Sequence, residues 1–107
     1  MTDRELLELA ANAAGYVLDW YPSTRCDLVT KRSVGEVVKL DWNPLTDDGD
    51  ALRLAVKLGL TLVIESDMVF CRNQRSDKAF REQSNDPDAA TRRAIVRAAA
   101  EIGRSMK

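Results

Sequence analysis

The feature that most limits the possible folds is a long amphipathic helix pattern over residues 86–105. Pro87 stands at its first position, where the missing N–H of proline costs nothing. At about 100° per residue, one side of this helix is apolar, and its residues are Ile95, Ala98, Ala99, Ile102 and Met106. Because alanine has little bulk, we expect the helix to approach a sheet closely, which predicts a layered fold of helices and strands.

A second helix is predicted over residues 3–14. Thr2 and Glu5 have the spacing of a capping box. Leucine and alanine then recur at helical spacing, and Gly15 offers the left-handed residue at which a helix commonly ends.

A third helix is predicted over residues 47–58, with Thr46 as its N-cap and Gly59 at its end. Four aspartates lie at or near its start: Asp41, Asp47, Asp48 and Asp50. Carboxylates close together can bind Mg²⁺ or Ca²⁺, but this spacing does not fit an EF-hand loop. Carboxylates in the first turn also favour the positive end of the helix dipole. We therefore predict that Asp47, Asp48 and Asp50 cap a helix, and that the four aspartates form no metal site.

The other apolar stretches are short and rich in β-branched and aromatic residues, which is typical of strands. The candidate strands are residues 16–20, 26–30, 36–40, 60–65 and 68–71. The nearly continuous apolar run at 60–65 predicts a central, covered strand, with 68–71 as its hairpin partner. Residues 72–86 are mostly polar and predict a mobile loop or a short irregular piece.

These elements predict one domain over residues 1–107, since 107 residues of which 45% are hydrophobic can bury one core. The expected class is α/β (α+β): a small helix–sheet–helix sandwich with three helices and a mostly antiparallel sheet of four to five strands. Helix 47–58 leaves open one parallel crossover between strands 36–40 and 60–65.

The absence of histidine excludes the most common chemistry of enzymes at neutral pH. Two cysteines, Cys26 and Cys71, cannot form a cysteine-rich zinc site, and we expect them to be free thiols. We predict no catalytic residue, no cofactor, no metal and no enzymatic activity. The sequence has no apolar run of the roughly 20 residues that a membrane span needs. Without a signal-peptide pattern, we expect a cytoplasmic protein with no membrane partner.

Charge is unevenly distributed along the chain. Residues 1–71 carry 7 Lys and Arg against 12 Asp and Glu, whereas residues 72–107 carry 9 against 5. On the last helix, Arg93, Arg97 and Arg104 lie opposite the apolar side. This arginine stripe is typical of a solvated helix face, but it is also able to contact phosphates or an acidic protein. The asymmetry equally fits attraction between the two parts of the fold.

Three large aromatic residues lie at the ends of candidate strands: Trp20, Tyr21 and Trp42. Aromatic side chains in such positions either cover the edge of a core or line a binding site. We expect core or rim packing, with recognition as the alternative.

Three stretches of the sequence resemble one protein family: Trp42–Leu60, with Asn43-Pro44-Leu45-Thr46 before the helix, Asp86–Gly103, and the opening Thr2–Ala10. They are similar to small phage and prophage proteins that carry a phage ABA sandwich domain. The resemblance covers nearly the whole chain in the same order and is loose between residues 16 and 41. It implies helices on both faces of a sheet and a phage-derived origin, and it transfers no activity, cofactor or site residue.

We therefore expect a phage or prophage accessory protein that binds a host or phage protein without catalysis. The alternative is a nucleic-acid-associated protein that uses the arginine stripe with Arg72 and Arg75, although a pI near 5.4 weighs against a strong nucleic-acid binder. The hairpin edge at residues 68–71 has few charges to protect it, which favours a homodimer through that edge. A dimer through an uncovered helix face is the alternative route.

Overall fold

The computed structural model describes residues 2–21, 26–31, 37–39, 42–65, 68–73, 79–83 and 85–106. They form three helices, α1 (Asp3–Ala14), α2 (Asp48–Leu58) and α3 (Pro87–Ser105). The strands are β1 (Tyr16–Tyr21), β2 (Cys26–Lys31), β3 (Val37–Lys39), β4 (Thr61–Ile64), β5 (Val69–Arg72) and β6 (Ala79–Glu82). The three predicted helices and the α+β class are confirmed.

The strands lie in two antiparallel sheets, not in the single sheet that the sequence analysis predicts. The first sheet has the order β1-β2-β3 and the second the order β4-β5-β6. β3 has only three residues, and the β2–β3 register shifts between Val29 and Thr30. Within the described residues no ladder joins β3 to β4, so α2 connects two sheets and makes no parallel crossover.

The sixth strand, β6, lies inside the segment for which a loop is predicted. Phe80 stands opposite Cys71 of β5, and its side chain packs against the core. Alternate side chains of β6 are half-buried and exposed. The sequence hides this strand because Glu82, one of its half-buried residues, carries a charge whose partner is Arg97 of α3. A strand with a polar inward residue gives little apolar alternation to detect.

The helix ends agree with their sequence signals except at the start of α2. Gly15 and Gly59 have φ angles of 78° and 64°, in the left-handed region that favours glycine. At the start of α2 the N-cap is Asp47, whose carboxylate accepts the N–H of Asp50 at 2.7 Å. The prediction of Thr46 is wrong by one residue. The Thr46 hydroxyl instead donates a weak bond to the carbonyl oxygen of Asn43, at 3.4 Å.

The core lies around α3, which packs against α1, α2 and the second sheet. As predicted, α3 packs against a sheet, and Ala98 and Ala99 of its predicted apolar side are completely buried, as is Ala94. α3 also packs against α1, with Gly103 at the contact, a packing for which the sequence gives no prediction. Met106 departs from its predicted apolar position: it caps the end of the helix and is 55% exposed.

Candidate functional site

A groove of about 290 Å³ opens between α2, β4 and the first half of α3. Its walls are largely apolar: Ala51 and Leu52 come from α2, Leu62 and Ile64 from β4, and Ile95 from α3. A concave surface with apolar walls and a few polar groups at its rim is the usual form of a binding site. We therefore take this groove as the candidate functional site.

The register of the second sheet explains why β4 forms part of the groove. Leu62 is opposite Cys71 and Ile64 is opposite Val69, so these four side chains share one face. α3 packs over β5 and β6 and buries Val69 and Cys71. It does not extend over the end of β4, and Ile64 remains 60% exposed. The groove is the uncovered margin of this sheet face.

Helix α2 carries two exposed aliphatic side chains, Leu52 in the wall of the groove and Val56 one turn further along the helix. Leu52 is 59% exposed and Val56 is 73% exposed. Their i, i+4 spacing places them on the same side of the helix. The apolar side chains of α2 that face the core are instead Ala51, Leu54 and Ala55.

A bridge between α2 and α3 fixes the polar rim of the groove. Arg92 of α3 donates to the Asp48 carboxylate at 2.6 Å and to the carbonyl oxygen of Leu45 at 2.9 Å. Its side chain is mostly buried, so the bridge is shielded from water on one side. Hydrogen bonds from a charged donor are shorter and stronger than neutral ones. The bridge therefore links α3 to the first residue of α2 and to the segment that precedes it.

The described aspartates of the acidic cluster all have structural partners. Asp47 caps α2 and Asp48 binds Arg92. Asp50 is completely buried and accepts the N–H of Asn43 at 3.0 Å and the guanidinium of Arg53 at 2.8 Å. Asp41 lies outside the described residues. Those residues contain no group of three or more metal-ligating side chains. That the cluster binds no metal stays a prediction.

The arginine stripe lies against acidic side chains of the fold. Arg93 contacts Asp3 of α1 at 3.2 Å, and Arg97 contacts Glu82 of β6 at 2.6 Å. Arg104 reaches Glu101 of its own helix at 3.7 Å. Arg92 and Arg93 thus join the basic C-terminal third to the acidic first part of the chain, one of the alternatives that the charge pattern leaves open.

The other predicted binding residues are dispersed. Arg72 is exposed at the end of β5, and Arg75 lies outside the described residues. Trp42 is buried and meets the Tyr16 ring edge to face at 6.0 Å, which is core packing. Trp20 and Tyr21 lie in β1, and their part in recognition stays a prediction.

Cys71 is a buried, free thiol, as predicted. Burial raises its pKa from 9.0 to about 11, because the charged thiolate is poorly solvated there. The thiol is therefore protonated at neutral pH and serves as a small apolar side chain of the core. Cys26 lies in β2.

Two predictions about the strand positions are wrong. β5 is the central strand of the second sheet, and Val69 is buried, so residues 68–71 form no exposed edge. β4, predicted as a central strand, stands at the edge of the described sheet. The error follows from β6, because a strand that the sequence does not reveal moves β5 from the edge to the centre.

No family model, curated protein or solved structure matches the chain. Within the described residues, no helix combines the length and apolar character of a membrane span.

Proposed function

We propose that this chain is a phage- or prophage-derived accessory protein of the phage ABA sandwich type, which binds another protein in the cytoplasm and catalyses no reaction. The observation that carries the proposal is a group of exposed aliphatic side chains: Leu52 and Ile64 line the groove, and Val56 follows Leu52 one turn along α2. Grouped apolar side chains around a concave surface favour a protein ligand, because covering them removes apolar area from water.

The rim of the groove supports binding rather than catalysis. Arg92 and Asp48 pair with each other, and Arg92 also binds a backbone carbonyl. A charge pair held in this way positions two helices and leaves no base or nucleophile aimed into the groove from these two residues. An apolar groove surrounded by polar side chains resembles protein–protein interfaces, which have an apolar centre and a polar rim.

The partner that fits is a polypeptide segment with two or more aliphatic side chains. β4 offers Leu62 and Ile64 at alternate positions, and α2 offers Leu52 and Val56 one turn apart. Two rows of apolar side chains select a ligand of matching spacing. The partner belongs to the host or the phage in this proposal.

Affinity capture from a bacterial lysate tests the proposal, with and without nuclease. The immobilised proteins are the wild type, Leu52→Asp at the groove, and Met106→Asp as a matched control at another exposed apolar side chain. We expect the wild type and Met106→Asp to retain the same protein after nuclease treatment, and Leu52→Asp to lose it. Equal retention by Leu52→Asp would contradict the groove as the binding site.

The same experiment distinguishes direct protein binding from association through nucleic acid. If nuclease removes the captured protein, the chain associates through nucleic acid, and phosphate contacts by Arg93, Arg97 and Arg104 become the better explanation. Binding of that kind weakens steeply as salt rises, because phosphate contacts release counterions.

A further inference from the structure

The edge of β4 has hydrogen-bonding groups that point away from its own sheet. The N–H of Glu65 donates to the carbonyl oxygen of Met68 at 2.8 Å, so the backbone groups of Glu65 point towards β5. Along a strand these directions alternate, which turns the groups of Thr61 and Val63 towards β5 as well. Those of Leu62 and Ile64 therefore point outwards.

We infer that a second copy of this chain pairs with this edge, β4 against β4, in an antiparallel arrangement about a two-fold axis at Val63. In that register Leu62 of one copy is opposite Ile64 of the other. Both are residues with outward backbone groups, so each of the two symmetric pairs exchanges both of its hydrogen bonds. Because a two-fold axis relates the two copies, the same hydrogen bonds form at the β4 edge of each copy.

A neighbouring register, centred on Leu62, is less favourable. It would place Leu60 opposite Ile64, but the N–H of Leu60 already donates to the carbonyl oxygen of Ala55 at the end of α2. Each of the two symmetric pairs would lack one bond, which would leave the carbonyl oxygen of Ile64 unpaired in both copies. The register centred on Val63 instead pairs the N–H and the carbonyl oxygen of both Leu62 and Ile64.

Side chains and charges also fit a second copy. Across the axis, Leu62 and Ile64 meet on the groove face, so apolar residues cover apolar residues. The strand carries no charge from Thr61 to Ile64. Glu65 is opposite Thr61, and the two copies of Glu65 stand about 13 Å apart along the strands, from the rise per residue. The net charge of −1 adds little repulsion between copies.

The pairing goes beyond the proposed function and does not depend on it. On the groove face, Leu62 and Ile64 of both copies become neighbours, so the two grooves adjoin at the axis. The two grooves then form one longer apolar surface to which a protein partner can bind. Pairing without capture of a partner would leave this inference standing and reject the proposed function, and capture by a monomer would do the reverse.

Disulfide trapping tests the register. Residues at non-hydrogen-bonded antiparallel positions lie about 4.5 Å apart between Cα atoms, within the range of a disulfide. In a Cys26→Ser background, we expect Val63→Cys to form a covalent dimer with oxidised glutathione. Thr61→Cys and Glu65→Cys should each form no covalent dimer alone and should form a covalent heterodimer when mixed.

Sedimentation tests the interface without a cross-link. We expect the wild type to have about twice the chain mass of 11.9 kDa at tens of micromolar. Ile64→Pro removes an outward N–H and no bond to β5, and Ile64→Lys adds an edge charge, so both should be monomeric with wild-type circular dichroism. Met106→Lys, the matched control, should remain dimeric.

Several results would overturn the inference. A wild-type mass near 11.9 kDa at every protein concentration measured would reject the pairing of a second copy with the β4 edge. A Val63→Cys protein that folds but does not cross-link would reject it as well. Equal cross-linking by all three single cysteine variants would show random collision and would also reject the register. A dimer that Ile64→Pro and Ile64→Lys leave intact would place the interface elsewhere.

Discussion

The carbonyl oxygen of Leu9 in α1 lies against Gly103 in α3, in the space that a β-carbon at Gly103 would fill. The side-chain amide of Asn12 donates to the carbonyl oxygen of Gly103 at 3.1 Å and holds the same crossing from α1. A glycine hydrogen therefore replaces a side chain at the point of closest approach between the two helices. Close approach of this kind permits a weak Cα–H···O contact, which a larger residue would prevent.

Gly103→Ala is expected to destabilise the protein strongly. The added methyl group would meet the backbone of Leu9, which cannot move like a flexible side chain. We expect a loss of about 2–3 kcal/mol or more in the free energy of unfolding, as for an overpacked core.

The matched control for Gly103→Ala is Gly49→Ala in the first turn of α2. Its β-carbon would lie 3.1 Å from the guanidinium of Arg53, the flexible end of an exposed side chain. Its effect should stay within about 1 kcal/mol, since alanine also favours the helix. Urea denaturation measures both variants, and equal stabilities would show that α1 and α3 do not need the small residue.

Asp47→Ala is expected to cost about 1 kcal/mol, because it leaves the N–H of Asp50 without its capping carboxylate. Thr46→Ala removes only a long hydrogen bond and should cost less than about 0.5 kcal/mol. The comparison uses the free energy of unfolding of the two variants. A larger loss for Thr46→Ala would restore Thr46 as the residue that starts the helix.

Arg97→Ala is expected to destabilise the protein by about 1–2 kcal/mol, from the loss of an ion pair and a cation–π contact. Its guanidinium is 2.6 Å from the Glu82 carboxylate and 5.0 Å from the centre of the Phe80 ring. Arg104→Ala, which loses only a 3.7 Å contact with Glu101, should change stability by less than about 0.5 kcal/mol. Thermal melts distinguish a structural arginine from one that is free for a partner, and equal melting temperatures would exclude the structural role.

Cys71 is expected to resist alkylation in the folded protein. With its pKa raised to about 11, its thiolate fraction at pH 8 is about 100-fold lower than that of an ordinary cysteine. A Cys26→Ser variant should react with iodoacetamide at least that much more slowly when folded than in urea. Rapid reaction of the folded variant would show that β5 opens readily.

The same raised pKa gives a sign for the dependence of stability on pH. The folded state favours the protonated thiol, so this contribution is complete below pH 9.0 and is lost as pH rises towards about 11. Cys71→Ala lacks this titration, and its unfolding free energy should decline less between these two values than that of the wild type.

The sequence predicts the helices well because their ends carry local signals. Thr2, Gly15, Gly59 and Pro87 each act within one turn of their own position. The order of the strands depends on pairing between distant residues, and no local signal encodes it. β6 shows this most clearly, since Glu82 satisfies its charge through Arg97, fifteen residues later. The groove has no local sequence signal for the same reason, because the exposure of Ile64 depends on how far α3 extends over the sheet.

The contact between α1 and α3 also sets an order of events during synthesis. Asp3 and Arg93, which form an ion pair across this contact, are separated by 90 residues. When α1 leaves the ribosome, the helix α3 that packs against it has not been made, and both described sheets and α2 must follow first. Contacts of such separation form late in folding and leave apolar surface open to aggregation in the meantime. The newly made chain therefore depends on α3 to close this core.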